Sequence, residues 1–255
     1  MTNAAIIQSS NLDEDIDRGL MGGYRMEMIM PSDAPHEVLM SKGSDRIKIV
    51  SKNRQRTSNV NWAVGRAGMM YRDLIPDRLG GRVIASHIRI VEGGEVPDSV
   101  HYHKIDFQVI YCLKGAIRVV YEGQGEPFWL EPGDCVLQAP EIRHRVLEAE
   151  AGSEVIEITS PAEHETWFDH KLELPTSVIE TERSFNGQKF VLHKDKDSKW
   201  QDSEMPNILI SETRTEGVAT LKAETNVPDL VSVERSDVWE IAVLVEGQGI
   251  KVNIS

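Results

Sequence analysis

Between residues 80 and 160, short runs rich in valine, isoleucine, leucine and tyrosine alternate with glycine-bearing turns, and this punctuation most constrains the fold. The runs cover 82–91, 107–113, 116–121, 127–130, 135–139 and 154–159. Between them stand Glu92-Gly93-Gly94, Lys114-Gly115, Glu122-Gly123-Gln124-Gly125 and Pro132-Gly133-Asp134. Short apolar runs bounded by glycine and proline at close spacing read as strands of an all-β sandwich or barrel. No amphipathic helix of three turns interrupts the region.

The flanking segments differ. Residues 1–79 are polar and Met-rich at first, with a strand candidate at 46–50, and are expected to extend the fold with further strands. Residues 161–205 read as a linker or capping segment, and the charged run 193–199 within it reads as a solvated surface. Strand-like patterning returns at 207–211, 218–223 and 240–245. An internal repeat links the two β-rich regions. Val96-Pro97-Asp98 precedes one strand-turn unit and Val227-Pro228-Asp229 the other, which sets Ser232 and Glu234 against His101 and His103, and Glu240 against Gln108. The expected division is therefore 1–79, 80–160, 161–205 and 206–255, the last a partial unit without histidines.

Composition removes some partners. A formal net charge of -13 repels nucleic acid phosphates and anionic membrane surfaces. The N-terminus lacks a basic region followed by a long apolar run, and no window is apolar enough for a membrane helix, so the expectation is a cytoplasmic protein. Cys112 and Cys135 are too few for a disulfide framework and sit in apolar runs, as buried reduced thiols would.

The chemistry concentrates in the histidines. His101 and His103 are two apart, so a strand presents both on one face, where two imidazoles can chelate one ion. His144 follows the turn Pro140-Glu141-Ile142-Arg143 and can return from an opposing strand. The run HYHKIDFQVIYCLKG resembles the first motif of the cupin superfamily (RmlC-like double-stranded β-helix), at His101, His103, Gln108 and Gly115. The run GDCVLQAPEIRH resembles the second, at Gly133, Pro140 and His144, with the proline displaced by one residue and Ile142 in place of the usual glycine.

The resemblance implies a cupin barrel at 80–160, with the C-terminal unit making the chain bicupin-like. It also implies one divalent ion (iron, nickel, manganese or zinc) held by His101, His103 and His144, with Gln108 as a weak or exchangeable fourth ligand. The family usually has glutamate at that fourth position; a neutral amide leaves the ion its full double charge and sharpens its Lewis acidity. His87 and Arg89, on one strand, and Tyr111 and Gln138, on the motif strands, are the candidate substrate-binding residues. His164 and His170 read as part of an aromatic capping segment. The resemblance implies first a dioxygenase acting on a small organic molecule. The alternatives are a redox-neutral isomerase, cyclase or lyase, suggested by Gln108, and a non-enzymatic small-molecule binder. A homodimer is expected, because cupins pair through sheet edges.

Overall fold

The computed structural model describes residues 4–53, 61–213, 217–224, 227–235 and 239–254. The described residues are all-β apart from short helices, and their strands fall into two large facing sheets, a third sheet behind them and a small two-stranded ribbon, Ser184–Phe185 with Gln188–Lys189. The first has ten strands. Its path runs Ala5–Ser9, Asp45–Ser51, Glu37–Lys42, Arg25–Met30, Thr166–Phe168, His101–His103, His144–Ala149, Ile117–Tyr121 and Phe128–Leu130, with Gly94–Glu95 paired to the side of His144–Ala149. The second has seven strands, ordered Val191–His193, Cys135–Gln138, Phe107–Lys114, Ser153–Ser160, Ile84–Ile90, Met70–Asp73 and Ala63–Val64. The two are not joined by hydrogen bonds into a closed barrel; they form a sandwich.

Period-two alternation decides what each strand contributes. Ile117, Val119 and Tyr121 from the first sheet meet Cys112, Val136, Val155 and Ile88 from the second, and all are buried in one cluster. Pairing in register places Gln108, Thr159 and Gln138 in one row of the second sheet, and Ile110, Glu157, Val136 and Ser86 in the next. The residues between them point the other way. Val109, Tyr111, Leu113, Ile156, Ile158 and Ala85 form a second cluster with Val218, Ile241, Val243, Ile250 and Val252. Those last five come from the third sheet, which has six strands and lies across the outer face of the second. Ser232 and Glu234 lie in its edge strand Leu230–Arg235, opposite Ala242 and Glu240.

The N-terminal segment is more regular than its polarity suggested. Asn11 caps the helix Leu12–Met21, accepting from the Glu14 amide, with Asp13, Glu14 and Asp15 in the first turn where the helix dipole favours acids. Leu12 and Ile16 pack on Ile29, Val38, Met40 and Ile49, covering the extension of the first sheet. The segment 161–205 also does more than connect: Thr166–Phe168 enters the first sheet and Val191–His193 the edge of the second. Behind the latter, Lys194 and the Asp195 amide both bond to buried Asp134, which fastens the charged run to the Pro132-Gly133-Asp134 turn.

Ile156 is fully buried between the second and third sheets. An Ile156→Ala substitution should cost about 2–5 kcal/mol of unfolding free energy, read by equilibrium urea denaturation; a loss within error of zero would show that the third sheet does not seal that face.

Candidate metal centre

His144 pairs directly with His101 across neighbouring strands, and His103 follows on the same face two residues on. The ring centroids of His101 and His144 are 4.2 Å apart, and His103 lies 5.0 Å from each. Each ring offers one nitrogen to a cluster whose atoms all lie within 4.8 Å of one another. All three residues are buried.

The hydrogen bonds at the other nitrogens orient the set. His101 Nδ1 lies 2.7 Å from the Ser99 carbonyl and His144 Nδ1 lies 3.0 Å from the Ile142 carbonyl. A carbonyl only accepts, so both rings carry the proton on Nδ1 and turn a lone pair on Nε2 the other way. His103 Nδ1 bonds at 2.8 Å to Thr166 Oγ1, which in turn meets Ser32 Oγ at 2.7 Å. The buried carboxylate of Asp98 backs His101 at 3.5 Å and accepts from the Val146 amide, tying the two histidine strands together. Neutral imidazoles with Nδ1 anchored and Nε2 convergent are a donor set that fits a divalent ion. The turn before His144 puts its left-handed residue at Glu141, with φ 59°, and not at Ile142.

Gln108 faces this centre from the second sheet. Its Oε1 accepts from Gln138 Nε2, and Gln138 Oε1 accepts at 3.0 Å from the hydroxyl of Tyr121, whose ring stacks on His144 with centroids 5.4 Å apart. Beside His103 lies a cavity of about 20 Å³, lined by Ser32, Asp33, Tyr71, Ile84, Ser86, Glu157 and His164. That is room for about one water molecule. Asp33 is bound by Arg78, which also holds Asp73, at 2.6 and 2.7 Å. His164 stands edge-on to His103 at 5.4 Å and bonds to the Pro161 carbonyl. Burial holds its pKa below the usual histidine value, partly offset by that bond.

Of the four residues expected to bind substrate, the structure brings only Gln138 to the histidines. Tyr111 points outward into the cluster beneath the third sheet, its hydroxyl 3.3 Å from Gln248. His87 and Arg89 are also on the outer face, because Ser86 and Ile88 take the inner one. There Arg72 Nη2 donates to His87 Nδ1 at 2.9 Å, His87 Nε2 reaches Glu154 at 2.6 Å, Arg89 reaches Glu154 at 3.0 Å, and Trp62 lies against both arginines and His87. The residues that sequence reasoning passed over are Asp98, Thr166, Tyr121, Glu157 and His164. Asp98 had been noticed only as part of the Val96-Pro97-Asp98 repeat, and His164 as part of an aromatic cap. His170 does sit in that segment, bonded to the Met26 carbonyl. Cys112 and Cys135 are buried free thiols, and burial pushes Cys112 up to about 12, so neither supplies a thiolate ligand.

Residues 87–159 match the family model of the cupin domain. The chain carries a cupin domain in that segment, which holds His101, His103 and His144. No curated protein sequence matches. Among solved structures, KdgF from a Halomonas species is 22% identical, over 40% of this chain and 86% of its own, with a TM-score of 0.33. The polyketide cyclase RemF from Streptomyces resistomycificus is 19% identical, over 48% of this chain and 90% of its own, with a TM-score of 0.38. A deletion variant of the oxalate decarboxylase OxdC from Bacillus subtilis is 13% identical, over 76% of this chain and 69% of its own, with a TM-score of 0.47. At these identities the likeness is one of fold. No helix among the described residues is long and apolar enough to cross a membrane.

The outer cluster gives the chain an acid-sensitive element. Burial holds His87 below its ordinary 6.5, against the opposing pull of Glu154. Burial alone would raise Glu154, but the bonds from Arg89 and His87 outweigh it and hold it below its ordinary 4.5. Both folded values are depressed, so in each window the unfolded chain binds the proton first. Stability therefore falls as pH drops below 6.5 towards the folded value of His87, and falls again below 4.5 as Glu154 follows. A His87→Gln variant should show a shallower first decline, because His164 and His193, also held below 6.5, still contribute to it, and should keep the second. Thermal midpoints measured from about pH 7 to about pH 3 check this, and a wild-type slope retained by the variant would contradict it.

Proposed function

We propose that the chain is a metal-dependent enzyme that carries out a redox-neutral isomerisation, cyclisation or elimination on a small oxygen-rich molecule. On this reading His101, His103 and His144 hold one divalent ion and Gln108 Oε1 is a fourth, exchangeable ligand. The observation that carries it is the wall beside the histidines. Ser32, Asp33, Ser86, Glu157 and His164 set hydrogen-bonding groups into that wall beside the apolar surface of Tyr71 and Ile84, which suits an oxygen-bearing substrate group.

A bound divalent ion supplies polarisation of substrate oxygens. This chain's residues do the rest. Ser32 and Ser86 offer hydroxyls to one water-sized polar group of the substrate, which is what the cavity beside His103 admits. Glu157, a carboxylate on the inner face that lines the cavity beside His103, is placed to take and return a proton. The sandwich walls and the capping segment with His164 restrict bulk water. We further propose that 80–160 forms the metal-binding unit, flanked by the extension 1–79 and the capping segment 161–205, and that 206–255 is a partial cupin-like unit without a centre of its own, so chemistry occurs once per chain. The acting assembly is proposed to be a cytoplasmic homodimer.

A dioxygenase is the second reading. It is favoured by the three neutral imidazoles grouped on one side of the site, which leave the opposite positions of an ion open to substrate and oxygen.

Elemental analysis of the purified chain should give about one iron, nickel, manganese or zinc ion per protein, and His144→Ala should lose it; metal-free wild type after loading would leave only the non-enzymatic binding reading. Small hydroxy- and oxo-acids should turn over anaerobically with zinc. Glu157→Gln should then lower kcat on the order of 100-fold at unchanged metal content. A strict need for oxygen, read as uptake at an electrode by the iron-loaded protein, would replace the redox-neutral reading with the dioxygenase.

A further inference from the structure

The geometry points to Tyr121 and Gln138 as positioning residues that hold the amide of Gln108 in the one orientation able to serve a metal. The inference rests on the metal-centre reading above and adds to it a relay of three side chains.

Gln108 and Gln138 are cross-strand partners on the inner face of the second sheet, and both are almost wholly buried. A carboxamide is nearly symmetrical in shape, but its oxygen has two lone pairs and its nitrogen none to give a metal. Which end of Gln108 turns towards the centre therefore decides whether it is a ligand or an obstacle. Two neighbouring amides satisfy each other equally well in either of two concerted flips, so the pair alone does not choose.

Tyr121 makes the choice. Its ring is packed by Phe128 at 6.0 Å, Phe190 at 4.5 Å and His144 at 5.4 Å between centroids, and the residue is buried. Its hydroxyl donates to Gln138 Oε1 at 3.0 Å. If Gln138 were flipped, its NH2 would face the phenol and the phenol proton would lose its acceptor inside the core, a costly state. With Gln138 Oε1 fixed by the phenol, Gln138 Nε2 donates to Gln108 Oε1. The Gln108 oxygen is thereby polarised, and its second lone pair remains for an ion. The relay runs in one direction, from Tyr121 through Gln138 to Gln108. Because the Tyr121 ring also lies on His144, one side chain aligns ligands on both sheets.

Cobalt(II) titration of metal-stripped protein tests this, with the dissociation constant and the visible d–d spectrum as readouts. Four proteins are compared: wild type, Tyr121→Phe, Gln108→Leu and the double variant. Tyr121→Phe keeps the packing and removes only the hydroxyl. It should weaken cobalt binding about tenfold, within the range known when an outer partner of a ligand is lost. Its spectrum should shift towards that of Gln108→Leu. In the Gln108→Leu background the same substitution should change neither affinity nor spectrum, because Tyr121 acts through that amide. A general packing defect would weaken binding equally in both backgrounds, and that result overturns the proposal. So does an unchanged constant and spectrum for Tyr121→Phe alone. A Gln138→Leu variant supplies a second route to the same loss should Tyr121→Phe fold poorly, and wild-type binding by Gln138→Leu would likewise overturn the relay. Absence of cobalt binding by wild type would overturn the metal centre itself, an outcome distinct from the others.

Discussion

The site depends on how each imidazole is pinned at the nitrogen that faces away from the centre. His101 and His144 use the same local device: Nδ1 donates to the carbonyl two residues earlier, Ser99 in one case and Ile142 in the other. The backbone leading into each strand therefore sets the ring, with no distant help. His103 has no such carbonyl. Its Nδ1 relies on Thr166 from the capping segment, and Thr166 on Ser32 from the N-terminal extension. Two segments outside the cupin domain thus complete the third histidine. This gives a physical reason for the first sheet to run through Thr166–Phe168 into Arg25–Met30.

The second sheet divides its labour by parity. Alternate residues face the histidines or the C-terminal sheet, so one strand such as Phe107–Lys114 carries Gln108 inward and Tyr111 outward. Covering the outer face with apolar surface commits the sheet to this register, since a slip of one residue would bury Gln108 under the third sheet and turn Val109 to the centre. The C-terminal unit has no histidine pair, yet it helps hold the amide in place by enforcing that register.

Most of the strands of the cupin domain, and the three histidines, were legible because period-two runs and ligand spacing are local properties of the chain. Strand 107–113 became Phe107–Lys114 and strand 154–159 became Ser153–Ser160, differences of one residue at an end. What the sequence hid was relative parity between strands. His87, Arg89 and Tyr111 are well placed along their strands but face outward, and nothing in a single strand says which of its faces another sheet will cover. Tyr121 and Glu157 carried no motif and gained meaning only from pairing, Tyr121 opposite His144 and Glu157 opposite Ile110 and Ser86. The helix Leu12–Met21 was overlooked although Asn11 and the Gly22-Gly23 pair marked its ends.

Charge gives the arrangement its direction. The three imidazoles and the amide bring no charge to an ion, so its double positive charge is left to Asp98 behind His101, to Glu157 across the cavity and to whatever ligand enters. Asp33 shares Arg78 with Asp73, so one guanidinium spans two carboxylates and that side of the cavity stays net negative. In a buried site of low polarisability, an unbalanced ion attracts anionic oxygen strongly. A ligand with a carboxylate or an enolate-like oxygen supplies that balance, whereas a neutral one leaves the ion exposed to the full cost of desolvation. A family glutamate at position 108 would remove much of this pull in advance. Gln108 would preserve it for the substrate, and the Tyr121–Gln138 relay orients the Gln108 oxygen without adding charge.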